Sequence, residues 1–145
     1  RITDFQCALG SNQLKKLDIF VQKRREIAVQ YDNSFANIVN LKIPKLQSAV
    51  EHAYHLYPLQ IHFDKLKKNK SEFFKKMKES GINLQVHYNP IHLQPYYRKN
   101  YGFKKGEFPI SERFYRNEVS LPIYPNLSKD DVEMVANSIL EIIST

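Results

Sequence analysis

The sequence has no tryptophan, a single cysteine (Cys7) and four glycines in 145 residues. One cysteine excludes an internal disulfide, and without an activating partner in its neighbourhood Cys7 is no candidate nucleophile. Scarce glycine leaves no loop of either common phosphate-cradling pattern. No apolar run reaches the ~20 residues that span a bilayer, and the N-terminus lacks the pattern of a signal peptide. The chain opens at Arg1 rather than at a methionine and reads as a piece of a longer protein. Its length suits one compact domain with its own core.

What is present is charge and aromatic surface. Twenty-two Lys and Arg against fifteen Asp and Glu give a net charge of +7, alongside nine Tyr and nine Phe. A basic balance suits anionic partners such as nucleotide phosphates or nucleic acid. The lysines concentrate at Lys65, Lys67, Lys68, Lys70, Lys75, Lys76 and Lys78. They alternate with core-type Phe73, Phe74 and Met77, are interrupted by Glu72 and Glu79, and accompany no nucleic-acid motif, so they read as a solvated face.

Periodicity predicts a mixed α+β domain. Thr3-Asp4 can cap a long first helix, with Leu14, Leu17, Val21, Ala28, Tyr31 and Phe35 on one stripe and a bend at Gly10. Residues 41–44 are extended. Tyr57, Leu59, Ile61 and Phe63 alternate as a strand, which Pro58 places at an edge or near a strand start. Ser71 is expected to cap a helix ending at Ser80-Gly81. Pro109 suits the first position of a helix reaching Asn117. Residues 120–125 are extended, and Ser128 with Asp131 forms a capping box for a last helix carrying Val132, Val135, Ala136, Ile139, Leu140 and Ile143 inward.

The chemistry is expected around residues 81–92. Ile82, Leu84, Val86 and Tyr88 alternate with Asn83, Gln85 and His87, which predicts a central strand ending at Asn89-Pro90. His87, Tyr88 and His92 then leave the sheet together, where ring nitrogens and a phenol can act in acid–base work or hydrogen-bond a polar ligand. His52, His55 and His62 lack cysteines or carboxylates at matched spacing, so no metal site is expected.

These segments resemble the nucleotide-sugar aminotransferases of the DegT/StrS type. The resemblance rests on Arg1-Ile2-Thr3-Asp4-Phe5-Gln6-Cys7-Ala8-Leu9-Gly10, Arg24-Arg25-Glu26-Ile27-Ala28, His55-Leu56-Tyr57, His87-Tyr88-Asn89-Pro90-Ile91-His92 and Ser120-Leu121-Pro122-Ile123-Tyr124-Pro125. Residues 93–98 and 101–106 look most like the branch that makes UDP-4-amino-4,6-dideoxy-N-acetyl-β-L-altrosamine on the route to pseudaminic acid.

The resemblance implies the C-terminal small α+β domain of a fold-type-I pyridoxal-phosphate transferase. Residues 1–35 would be an interdomain helical segment and residues 36–145 the small domain, with a mainly antiparallel sheet and flanking helices. It implies a cytoplasmic homodimer with no membrane and no nucleic-acid partner, moving an amino group from glutamate to the C4 keto group of a nucleotide-linked deoxysugar. A sugar dehydratase of the same family is the alternative reading, and a free-standing basic nucleic-acid-binding module is the alternative outside it. His87 and Tyr88 would touch the sugar, His92 would support them, and Arg1 would reach phosphate groups of substrate or cofactor in the neighbouring subunit. The cofactor lysine lies outside the chain. Lys65, in His62-Phe63-Asp64-Lys65, is followed by a lysine-rich run instead of the family's segment and reads as surface. No catalytic residue and no covalent pyridoxal phosphate are therefore expected in this chain.

Overall fold

The computed structural model describes residues 1–144. Seven α-helices and three short strands follow one another: α1 (Asp4–Leu14), α2 (Leu17–Phe35), β1 (Leu41–Lys42), β2 (Tyr57–Ile61), α3 (Phe63–Leu66), α4 (Lys70–Glu79), α5 (Pro95–Tyr101), α6 (Pro109–Asn117), β3 (Glu118–Leu121) and α7 (Lys129–Ser144), with a 3-10 turn at Ile91–Leu93. The sheet is antiparallel in the order β1-β2-β3. This is the expected α+β architecture with a small antiparallel sheet.

The centre of the sheet differs from expectation. β2 is the middle strand, with Leu41 opposite Ile61 on one side and Tyr57 opposite Leu121 on the other. Pro58 is tolerated there because it is the second residue of β2, outside the register shared with β1. Residues 82–88 form no regular strand. Their pairing is one bridge between Gln85 and Ser120, closed by Ser120 N–H to Gln85 C=O at 2.9 Å and Gln85 N–H to Ser120 C=O at 3.3 Å. Alternation therefore decays beyond Gln85, and Tyr88 is 73% exposed instead of facing inward.

The first helix is also two. α1 begins with a capping box between Thr3 and Gln6 and has no buried residue. The break falls at Lys15-Lys16 and not at Gly10, which lies inside α1. Leu14 and Leu17 are consequently exposed. Only the second half of α2 enters the core, through Ile27, Ala28, Tyr31 and Phe35.

Those side chains join the inward face of α7 (Val132, Val135, Ala136, Ile139 and Ile143) and Tyr57, Leu59 and Ile61 of β2. Burial of Leu59 and Ile61 contributes about 1.5–3 kcal/mol each. Phe73 and Met77 of α4 close the same cluster. The cap of α4 is Asn69, whose side-chain oxygen accepts from Ser71 N–H at 2.7 Å and from Glu72 N–H at 3.4 Å. Ser71 thus sits inside the helix it was expected to cap, because Asn69 is the residue in extended conformation at that point. Gly81 follows α4 at φ +79°, a left-handed value that glycine adopts without a Cβ clash. The Ser128–Asp131 capping box forms as expected, with Ser128 Oγ accepting from Asp131 N–H at 3.1 Å.

Candidate functional site: a histidine–tyrosine corner over a buried glutamate

Every residue of β3 is buried, including the two polar ones. Leu121 and Val119 face the core with Tyr57 and Leu59, their partners in register. Glu118 and Ser120 share the other face, as period-2 geometry requires. The segment ending in His87-Tyr88 lies over them, tied by the Gln85–Ser120 bridge.

Glu118 has no exposed surface. Its Oε2 accepts the His87 backbone N–H at 3.0 Å, and its Oε1 accepts the Ser120 hydroxyl at 2.5 Å. Ser120 Oγ is 2.8 Å from Nδ1 of His87. Lys70 approaches from α4 and donates to the main-chain carbonyls of Glu118 at 2.7 Å and Tyr115 at 2.8 Å. Its ammonium also lies 5.3 Å from the centre of the Tyr115 ring. Burial lowers the Lys70 pKa, and the Glu118 charge acts against that shift. Lys70 is thereby removed from the solvated lysine face to which sequence reading assigned it.

Beside the latch lies a cavity of about 200 Å³ lined by His55, Leu56, Asn83, Gln85, His87, Ser120 and residues 121–123. Tyr88 is exposed next to His87, its ring edge-on to the imidazole with centroids 4.7 Å apart. The His87–Tyr88 peptide bond is cis.

His92 is placed differently. It is buried against Phe108, and its Nε2 lies 3.0 Å from Glu112 Oε1, which also accepts Gly106 N–H at 2.7 Å. Hydrogen bonding from Gly106 first, and from His92, pulls the Glu112 carboxyl below its ordinary value although desolvation opposes it. Among the described residues no hydrogen bond or ring contact joins His92 to His87 or Tyr88. Arg1 stands exposed ahead of α1 and makes no hydrogen bond or ion pair with the corner among the described residues.

His52 and His62 are engaged elsewhere, and His55 lines the cavity. His52 Nδ1 accepts from Tyr54 N–H at 3.0 Å, and His62 Nδ1 accepts from Asn117 at 3.1 Å. Lys65 is exposed on α3.

Glu118, Ser120 and Lys70 escaped the sequence reading as site residues. The available signal was Glu118 two residues before Ser120 in an extended run, which sets both on one strand face. Their meeting with His87 spans more than thirty residues and leaves no local trace.

These residues do not fit a pyridoxal phosphate site of their own. Lys65 faces solvent, and the Lys70 ammonium is turned to two carbonyls. A Cβ added at any of the four glycines meets nothing within 4 Å, so no glycine turn closes into a phosphate cradle.

Comparison with known proteins agrees with the architecture. The family model described as the DegT/DnrJ/EryC1/StrS aminotransferase family matches residues 1–140. An uncharacterized protein of Methanocaldococcus jannaschii is 46% identical over 99% of this chain and 37% of its own length. The UDP-4-amino-4,6-dideoxy-N-acetyl-beta-L-altrosamine transaminase of Campylobacter jejuni (serotype O:2) is 34% identical over 99% of this chain and 37% of its own. The solved structure of Helicobacter pylori PseC, an aminotransferase involved in the biosynthesis of pseudoaminic acid, superimposes with a TM-score of 0.89 at 32% identity. That superposition covers 99% of this chain and 38% of PseC. The chain thus spans little more than a third of the length of the curated relatives it matches.

Proposed function

The chain belongs to the DegT/DnrJ/EryC1/StrS aminotransferase family, and on that premise we propose that it is the substrate-side, C-terminal small domain of a nucleotide-sugar aminotransferase. Residues 1–35 are the helical segment leading into it. The complete enzyme moves an amino group from glutamate to the C4 keto group of a nucleotide-linked deoxysugar, and the pseudaminic acid route is the branch favoured by the relatives' names.

One observation carries the reading. A fully buried carboxylate latches His87 at the edge of a polar cavity, while Tyr88 next to it is 73% exposed with its phenol open to a ligand. A few precisely placed polar groups lining a concave site are what fixes a ligand's orientation. In this reading His87 and Tyr88 contact the sugar. His92 supports them from behind by holding the loop to Glu112. Arg1 reaches phosphate groups in the neighbouring subunit of a dimer.

Pyridoxal phosphate in the complete enzyme supplies the electron sink for the transfer. The lysine that bonds it lies outside these residues. What this chain contributes is binding and orientation of the sugar, and exclusion of water on its side. On its own the chain forms no covalent adduct with the cofactor. Borohydride reduction in the presence of pyridoxal phosphate, followed by peptide mapping, tests this; stoichiometric label at Lys65 would overturn it.

The decisive assay uses the full-length protein with glutamate and a UDP-linked 4-keto-6-deoxy-N-acetyl sugar. Formation of 2-oxoglutarate with the aminated sugar is expected. Loss of a sugar hydroxyl without 2-oxoglutarate would move the assignment to a dehydratase, and tight salt-dependent binding to nucleic acid with neither reaction would reject it.

A further inference from the structure

We propose that Glu118, acting through Ser120, is a positioning residue that holds His87 with its hydrogen on Nδ1. Nε2 is thereby presented as an acceptor to a hydroxyl or amide N–H of a sugar ring in the cavity beside it. The identity of the ligand rests on the reading above; the placement of the hydrogen rests on geometry alone.

An ionised carboxylate only accepts, so both Glu118 oxygens must face donors. Oε2 receives the His87 backbone N–H and Oε1 the Ser120 hydroxyl. Serine has one hydroxyl hydrogen. Once that hydrogen points at Glu118, Ser120 offers His87 only lone pairs, and the group 2.8 Å away must donate. Nδ1 therefore carries hydrogen, and in the neutral ring Nε2 does not.

Lys70 brings a positive charge to the same residue. Its ammonium donates to the main-chain carbonyl of Glu118 at 2.7 Å. Burial excludes competing water, since Glu118 is 0% and Ser120 4% exposed. Two bonds from one carboxylate, one direct to the His87 backbone and one relayed to its ring, fix position and tautomer together. This is how a hydrogen bond at one ring nitrogen decides the role of the other.

Nε2 has no protein partner among the described residues. The cavity wall that includes His87 also includes Asn83 and Gln85, whose amides both donate and accept, and His55. At about 200 Å³ the space is below the ~300–1,000 Å³ of sites for drug-sized ligands, so it suits a single sugar ring and not a whole nucleotide.

The test is long-range proton–nitrogen correlation NMR on the 15N-labelled 145-residue chain at mildly alkaline pH, where imidazoles are neutral, with His87→Asn used for assignment. A protonated Nδ1 and a bare Nε2 are expected at His87. Hydrogen on Nε2 would mean that the serine points the other way, and overturns the proposal whatever any variant does. Ser120→Ala should shift the population toward the Nε2–H form, and Ser120→Thr should restore the parent pattern. An unchanged tautomer in a folded Ser120→Ala chain also overturns it.

In the full-length enzyme, Ser120→Ala should raise KM for the nucleotide sugar about five- to tenfold, as loss of one hydrogen bond does, with KM for glutamate unmoved. An unchanged sugar KM rejects the ligand half of the proposal. Absence of aminotransferase activity in the parent would refute the functional reading instead, and leaves the NMR result standing.

Discussion

Nε2 of His92 lies 3.0 Å from Oε1 of Glu112, twenty residues later, and both side chains are buried. The same oxygen takes the Gly106 N–H at 2.7 Å. One carboxylate therefore ties the turn behind the His87-Tyr88 corner to α6 and to the 102–108 loop.

That tie has an acid limb. The folded Glu112 carboxyl sits below its ordinary value of 4.5, with the Gly106 hydrogen bond as the largest cause. A depressed carboxyl favours the folded state above the unfolded value, and the benefit is lost as pH falls through the lower folded value. Thermal melts of the parent from pH 6 downward should show this loss below about pH 4.5. Glu112→Gln should melt lower at pH 6 and show a shallower acid slope. An equal slope in both proteins would remove Glu112 from the account.

Tyr57 donates to Asp32 Oδ1 at 2.6 Å from a fully buried ring. Tyr57→Phe should cost about 1.5–3 kcal/mol in urea unfolding, the range for a hydrogen bond to a charged group. Burial first, and then the bond to Asp32, raise the Tyr57 pKa. Its phenol keeps its proton when folded and loses it when unfolded, so stability falls as pH rises past the ordinary tyrosine value of 10.0. Tyr57→Phe should flatten that alkaline decline, and spectrophotometric titration against stability measures it.

Capping separates two neighbouring residues. Asn69→Ala should destabilise the domain by about 1 kcal/mol, because Asn69 accepts the Ser71 and Glu72 amides. Ser71→Ala, at the second residue of α4, should stay within about 0.5 kcal/mol. Chemical denaturation of both variants decides, and the reverse order would return the cap to Ser71.

Tyr88 is exposed at the corner, so Tyr88→Phe should leave stability of the chain within about 0.5 kcal/mol. In the full-length enzyme it should lower kcat/KM for the nucleotide sugar about five- to tenfold and change cofactor affinity much less. Steady-state kinetics with a parallel cofactor titration check both halves, and unaltered sugar kinetics would reject the contact.

Much of the fold was legible along the chain. The 3–4 repeat of α7 and its Ser128–Asp131 box, Pro109 opening α6, Gly81 closing α4 and the alternation of Tyr57, Leu59 and Ile61 are all local signals, and each forms. Of the site, His87 and Tyr88 were visible as a polar cluster before Asn89-Pro90. Leu14 and Leu17 misled because their stripe continues into α2 in sequence, while the chain breaks at Lys15-Lys16 and leaves them outside the core.

Periodicity and capping chemistry act over a few residues, and they suffice to say which segments coil, which extend and where they stop. They do not say which extended segment occupies the middle of the sheet. Packing put β2 there and left residues 82–88 with one bridge to Ser120, because a segment's place in a sheet depends on which partners satisfy its backbone. The same holds for the latch. Glu118 and His87 are thirty-one residues apart, and only the folded chain, by closing water out around both, makes the carboxylate the group that orients the imidazole.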